Sequence, residues 1–130
     1  MGDLSKNFSR SEFACKCGCG QDTVDSELLR AAQWIRDATE SVVHISSGNR
    51  CEKWNAEVGG SKTSMHLASK AMDFKVEGYA SLAIYHLLDE KYPEKFGLGL
   101  YAAWCHIDVR DGRARWDGSF APKKNKKVGG

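Results

Sequence analysis

No stretch of this chain approaches the roughly 20 apolar residues that a membrane-spanning helix needs. The segment Met1 to Arg10 has no apolar core of the kind a secretory signal carries. Synthesis and folding in the cytoplasm are therefore expected; to meet a substrate outside, the chain would leave by lysis, with a partner, or within a particle. Charge of one sign is scarce too. A formal net charge of +2 gives no basic face for nucleic acid and only a weak pull toward anionic polymers. There is no internal repeat and no long linker. Five cysteines, an odd number, argue against a complete disulfide framework in a chain with no export signal. What remains is one soluble domain. Its 130 residues, 42% apolar and 28% charged, suffice to bury a core without covalent staples.

Local signals order the chain. Phe8 to Phe13 reads as a short helical turn, with Ser9 as N-cap and Glu12 as its capping-box partner. A Cys/Gly loop follows. Leu28, Leu29, Ala32, Trp34, Ile35 and Ala38 then form a helical stripe that Asp25 or Ser26 can cap. Val42 to Ser46 is short and β-branched, and so a strand, ending at the turn signal Ser47-Gly48-Asn49-Arg50. Glu52 to Ala56 suggests a helical turn broken by Gly59-Gly60-Ser61. Ala71 to Val76 alternates as a strand, and Tyr79 to Tyr92 carries Leu82, Ile84, Leu87 and Leu88 as a second long helix. Gly97 to Tyr101 and Trp104 to Arg110 read as a hairpin. The expected class is α+β, two main helices on a small, mostly antiparallel sheet. Residues 1–121 are expected to form the domain, and Pro122 to Gly130, rich in Lys and Gly, a disordered basic tail.

Chemistry concentrates in three places: Ser64-Met65-His66 with Asp73 beyond it, His106-Ile107-Asp108, and Arg50 after the first strand. Imidazole nitrogen and carboxylate oxygen are good zinc donors, and a catalytic zinc takes three of them and keeps one position open. His66 and Asp73 are too far apart for the i, i+4 spacing of one helix face, but the small, polar Leu67 to Ala71 stretch lets the chain loop back. Strand alternation puts His106, Asp108 and Arg110 on one face and Cys105, Ile107 and Val109 on the other. That polar trio also fits the solvent face of a half-buried strand.

The run from Ser47 to Phe74 holds Ser-Gly-x-Arg at Ser47 to Arg50, Ser-x-His at Ser64 to His66, and Ala-x-Asp at Ala71 to Asp73, with a strand His at His106. In this it resembles the zinc D-alanyl-D-alanine carboxypeptidase family, which includes vancomycin-resistance carboxypeptidases and dipeptidases and several phage endolysins, and whose fold the Hedgehog signalling domain shares. The opening Phe8 to Gly20 and the closing His106-Ile-Asp-Val-Arg resemble a branch found in phages and prophages. The resemblance covers about Phe8 to Trp116. It implies zinc ligands at His66, Asp73 and His106, an arginine at Arg50 for substrate carboxylate or developing oxyanion, and a substrate-binding or loop-orienting role for Ser64. It further implies a hydrolase of peptidoglycan peptides, a carboxypeptidase or an endopeptidase. A monomer is expected, and charge and the lack of a long apolar run give the expectation of no nucleic-acid or membrane partner. Tyr101, Trp104 and Trp54 are candidates to line the cleft, while Trp34 and Trp116 read as packing residues.

Two departures stand out. Many members carry an acidic catalytic base three residues before the last ligand, where this chain has Ala103, and the family's Gly before Ala-x-Asp is Ser69. Asp108 is then the nearest candidate base; it could instead hold a ligating histidine from behind or take the place of His106 as a ligand, with Glu52 or Glu57 as substitutes for the base. Cys15, Cys17, Cys19 and Cys51 provide thiols for a second, structural zinc, a later disulfide, or free sulfhydryls, although Cys-x-Cys-x-Cys lacks the usual two-residue spacer. Cys105 is expected in the core. Two rival readings are a non-catalytic zinc-binding module of the same fold and a zinc-ribbon protein built on the cysteines.

Overall fold

A computed structural model describes residue 2 and residues 4–60 and 64–118. The expected basic tail, the boundary at residue 121 and Ser61 lie outside the described residues. The elements run α1 (Arg10–Phe13), α2 (Ser26–Thr39), β1 (Val43–Ser47), α3 (Glu52–Glu57), a 3-10 turn (Met65–Ala68), β2 (Ala71–Val76), α4 (Ser81–Lys91), β3 (Phe96–Leu100), β4 (Cys105–Asp108) and β5 (Arg113–Asp117). The class is α+β, as expected.

The caps follow the sequence signals. Ser9 and Glu12 form the capping box of α1, and the Asp25 carboxylate accepts from the amides of Glu27 and Leu28 at the start of α2. Glu40, with φ of 53°, ends α2 in the left-handed region. The inward stripe of α2 is Leu28, Ala31, Ala32, Ile35 and Thr39. Thr39 is buried where Ala38 was expected, because its hydroxyl donates to the Ile35 carbonyl 2.8 Å away and needs no water. On α4, Ile84 and Leu88 face inward while Leu82 is exposed.

The sheet has the order β1-β2-β4-β3-β5. Its first three pairings are antiparallel. Met72, Phe74 and Val76 of β2 and Cys105 and Ile107 of β4 point into the core with Leu28, Ile35, Ile84 and Leu88. A fully buried Phe such as Phe74 contributes about 1.5–3 kcal/mol through removal of its ring from water. The opposite faces of β2 and β4 are left for polar side chains.

The outer strand β5 was not expected. It runs parallel to β3, and its sequence Arg-Ala-Arg-Trp-Asp is too polar to read as a sheet member. Arg115 docks it. The guanidinium donates to the Asp89 carboxylate at 2.6 Å and to the carbonyls of Tyr92 at 2.5 Å and Phe96 at 2.7 Å. These bonds engage carbonyls at and beyond the end of α4 and tie helix to strand.

Candidate metal centre

Asp73 lies midway along β2, on the face away from Phe74. Its partner across the ladder in β4 is His106, and in β1 it is Ser47. Antiparallel pairing thus delivers a carboxylate and an imidazole side by side from residues 33 positions apart. His66 arrives separately, on the 3-10 turn. Ser64 caps that turn, its hydroxyl accepting from the His66 amide at 3.1 Å. Ser69 ends it in the left-handed region with φ of 61°. Only glycine adopts that region freely, which accounts for the family's Gly at this position. Ser69 is held there by its hydroxyl, 2.6 Å from both Asn49 Oδ1 and Thr23 Oγ1.

The two imidazoles are each fixed from behind. His66 Nδ1 donates to the Gly48 carbonyl at 2.6 Å. A carbonyl can only accept, so Nδ1 carries a proton, and in the neutral ring that tautomer leaves the lone pair on Nε2. That Nε2 is buried without a hydrogen-bond partner, 3.4 Å from Asp73 Oδ2. His106 Nε2 donates to Asp108 Oδ2 at 2.7 Å, and Nδ1 points to Asp73 Oδ1 at 2.8 Å. One donor atom from each of His66, Asp73 and His106 lies within 4.8 Å of the others. Two imidazoles aimed inward and one carboxylate match a three-ligand zinc set, and the orphaned His66 Nε2 is the atom that such an ion would satisfy.

Electrostatics agree. Burial would raise the Asp73 pKa, but hydrogen bonding and charge from His106 and His66 win and hold it well below the usual carboxylate range. His106 is pulled down by burial and pushed up by Asp108 and Asp73; the carboxylates prevail and its pKa is raised. Asp108 is fully buried. Burial again works against its charge, yet Arg110 and His106 hold its pKa well down. Arg110 donates to Oδ1 at 2.6 Å and to Oδ2 at 2.7 Å. Both oxygens of Asp108 are therefore engaged, behind His106 rather than in front of it.

Arg50 borders the cluster. Its Nη2 is 3.5 Å from Asp73 Oδ2, Nε donates to Ser47 and Nη1 to Asn55, and its amide donates to the His66 carbonyl at 3.2 Å. Tyr101 and Trp104 stack with ring centroids 4.6 Å apart and an angle of 4° between planes, and Trp104 is exposed. Trp116, expected in packing, packs at the site itself: its ring lies 5.2 Å from the His106 ring, and its Nε1 donates to the Tyr101 hydroxyl at 2.8 Å. Trp54 is half-buried on α3. Ala103 is exposed in the turn before β4, bordering a small apolar hollow with Tyr79, Ser81, Ile84 and Cys105 on the face opposite His106. Glu52 and Glu57 are exposed on α3. Cys105 is buried, its thiol donating to the Ser81 carbonyl, and burial pushes its pKa up to about 12.

Three features escaped the sequence reading. Gly97 and Gly99 of β3 pair with Asp108 and His106. A Cβ at Gly97 would sit 2.6 Å from Asp108 Oδ1, and one at Gly99 2.5 Å from Trp116 Nε1. Both glycines make room for the groups behind the site, and Gly-x-Gly in a strand was the available signal. Asn49 is the third. Buried, it donates to the carbonyls of Phe13 and Thr23 and accepts from Gln21 and Ser69, which fixes the loop between Gly48 and Arg50.

A family model described as Peptidase M15 matches residues 6–108. The chain belongs to the peptidase M15 family. No curated protein matches it. M15 peptidases are zinc-dependent, which agrees with the donor chemistry of the cluster. The match begins before α1 and ends at Asp108, so it takes in all three donor residues and the cysteine loop but not β5. Trp116 and Arg110, which pack behind and beside His106 in this M15 peptidase, lie beyond it. No helix among the described residues is long and apolar enough to cross a membrane.

Proposed function

We propose that this M15 peptidase hydrolyses peptide bonds in the peptide portion of bacterial peptidoglycan, with His66, Asp73 and His106 holding one catalytic zinc. The observation that carries the assignment of the ion is the buried, partnerless Nε2 of His66, whose tautomer is set by the Gly48 carbonyl and which faces Asp73 beside His106. Bound zinc supplies Lewis-acid polarisation and a water acidified toward a pKa of about 7. The rest falls to the chain. Arg50, held by Ser47 and Asn55, presents positive charge beside Asp73 for a substrate carboxylate or the developing oxyanion. Ser64 shapes the turn that carries His66. The Tyr101–Trp104 stack offers a flat apolar platform for substrate next to the cluster.

Asp108, the candidate base from sequence, is read here as a positioning residue. It fixes the Nε2–H tautomer of His106 and so leaves Nδ1 free for the ion. Both of its oxygens already accept from Arg110, and Oδ2 also accepts from His106. The phage and prophage resemblance of the Phe8 to Gly20 segment supports a lysin that reaches the wall after release or within a particle. Ala103 favours one second reading, a zinc-binding recognition module without hydrolysis, since alanine cannot move a proton.

The test pairs zinc content with release of peptides from purified peptidoglycan, for wild type and His66→Ala. The proposal expects zinc and released peptides from wild type and loss of both in the variant. Zinc bound by His66 with no product from wild type would establish the recognition module instead. The mass of the products separates D-alanine trimming from cleavage within the stem or cross-link.

A further inference from the structure

A second cluster of metal-binding side chains lies outside the His66 site. Cys15 ends the segment after α1, Cys17 and Cys19 sit on the loop that follows, and Cys51 caps α3. The four sulfurs lie within 4.8 Å of one another. Cys15 Sγ is 3.5 Å from Cys17 Sγ and 3.8 Å from Cys51 Sγ, and Cys17 Sγ is 3.6 Å from Cys51 Sγ. All are free thiols. These separations are far above the ~2.05 Å of a disulfide. They match instead the edge of a tetrahedron of four sulfurs, about 3.8 Å for a zinc–sulfur bond of about 2.3 Å.

Apolar burial does not explain the gathering. Cys17 and Cys19 are exposed, so solvation of their side chains gives no reason to converge on Cys15 and Cys51. The backbone is shaped for convergence all the same. The Gly18 amide donates to the Cys15 carbonyl at 3.2 Å, and the Cys15 amide donates to the Gln21 carbonyl at 2.8 Å. Gly18 and Gly20 have φ of 84° and 92°, the left-handed turns that glycine permits. The Gly18 turn lies between Cys17 and Cys19 and takes the place of the missing two-residue spacer, and the Gly20 turn follows Cys19, where the chain comes back to Cys15 through Gln21. Two amides also point at sulfur, Cys51 N toward Cys15 Sγ and Trp54 N toward Cys51 Sγ, each at 3.4 Å. Such contacts favour thiolate over thiol.

We propose that Cys15, Cys17, Cys19 and Cys51 bind a structural zinc ion, separate from the His66–Asp73–His106 centre. A closed set of four thiolates leaves no open position for water, so the ion builds structure and takes no part in hydrolysis. Its effect on the catalytic centre is mechanical. It clips the N-terminal segment to the loop that carries Arg50 and Gly48, in line with the Asn49 bonds to Phe13.

The experiment measures zinc per chain in the full-length protein purified without chelator, for wild type, His66→Ala/His106→Ala and Cys17→Ser/Cys19→Ser. Two ions are expected in wild type and one in each double variant. In cobalt-substituted protein, the intense thiolate-to-cobalt charge-transfer absorption should persist in the histidine variant and vanish in the cysteine variant. A measurement on wild type alone guards against a cysteine variant that fails to fold: thiol-reactive dye should label Cys17 and Cys19 slowly until a strong chelator is added, then rapidly. Overturning results are a metal content unchanged by the cysteine substitutions, dye labelling indifferent to chelator, iron in place of zinc, or a Cys–Cys disulfide in the non-reduced mass. A protein that releases nothing from peptidoglycan yet shows the thiolate–cobalt band keeps this inference and loses the hydrolase proposal; the two fail independently.

Discussion

Asp73 and His106 stand opposite each other across the β2–β4 ladder, with His106 Nδ1 2.8 Å from Asp73 Oδ1. Register alone sets this contact. A slip of one residue between the two strands would turn one of these side chains to the core face and part the two, so the pairing that buries Phe74 and Ile107 on one side also assembles the donor pair on the other.

Asp108→Asn should weaken zinc binding by about 10–100-fold, the usual cost of losing a carboxylate behind a ligating imidazole. The amide can still accept from His106 through its oxygen, but Arg110 loses its charged partner and the group can flip. Competition with a calibrated chelator reads the change in affinity. An unchanged affinity would separate Asp108 from His106 and reopen its role as base.

Stability of the metal-free chain should depend on pH in a defined sense. The folded pKa of His106 is raised: burial opposes this, and Asp108 and Asp73 outweigh it. Its contribution is fully present below the unfolded value of about 6.5 and is lost as pH climbs through the higher folded value. Zinc reverses the trend, because it needs the lone pair on Nδ1 that the proton would occupy. Urea midpoints taken from about pH 5 to 9, with chelator and with zinc, should therefore slope in opposite directions on the alkaline side. Parallel curves would remove His106 from the metal site.

Gly97→Ala should destabilise the fold by about 1–3 kcal/mol through overpacking. The new methyl would meet Asp108 Oδ1 at 2.6 Å and Arg110 Nε at 2.7 Å, so zinc affinity should fall along with the melting temperature. Thermal unfolding with and without zinc distinguishes this from simple strand weakening, which would leave the zinc-dependent increment intact.

Ser69→Ala should cost more than Ser69→Gly. Alanine keeps the strain of the left-handed backbone, roughly 1–2 kcal/mol, and loses the hydroxyl bonds to Asn49 and Thr23. Glycine also loses those bonds but relieves the strain. Denaturant unfolding of the two variants gives the order directly, and equal losses would show that the backbone at residue 69 relaxes.

The α+β class, α2, β1 and the β3–β4 hairpin were legible because each is written in local periodicity or caps. The three donor residues were named through the family resemblance, since spacing alone cannot say that a turn after Ser64 carries His66 to a strand seven residues on. The role of Asp108 was not legible. Strand alternation placed it with His106, but only the observed Arg110 bonds show that its oxygens are taken. That Trp116 packs against His106 was not legible for the same reason as β5 itself: a polar edge strand has no hydrophobic pattern, and its docking rests on the non-local bonds of Arg115 to Asp89 and the carbonyls of Tyr92 and Phe96.

The Gly48 carbonyl gives the two histidines different points of weakness under mutation. The tautomer of His106 is written in one side chain, and a single change at Asp108 can erase it. That of His66 is written in the path of the main chain, which the buried Asn49 side chain holds through its bonds to Phe13, Thr23, Gln21 and Ser69. Position 48 is a further point of exposure, where any β-carbon would strike Phe13 Cα at 2.8 Å and push the carbonyl off the ring. Changes that never touch an imidazole, at Asp108 for one ring and at Gly48 or Asn49 for the other, should therefore unseat either histidine.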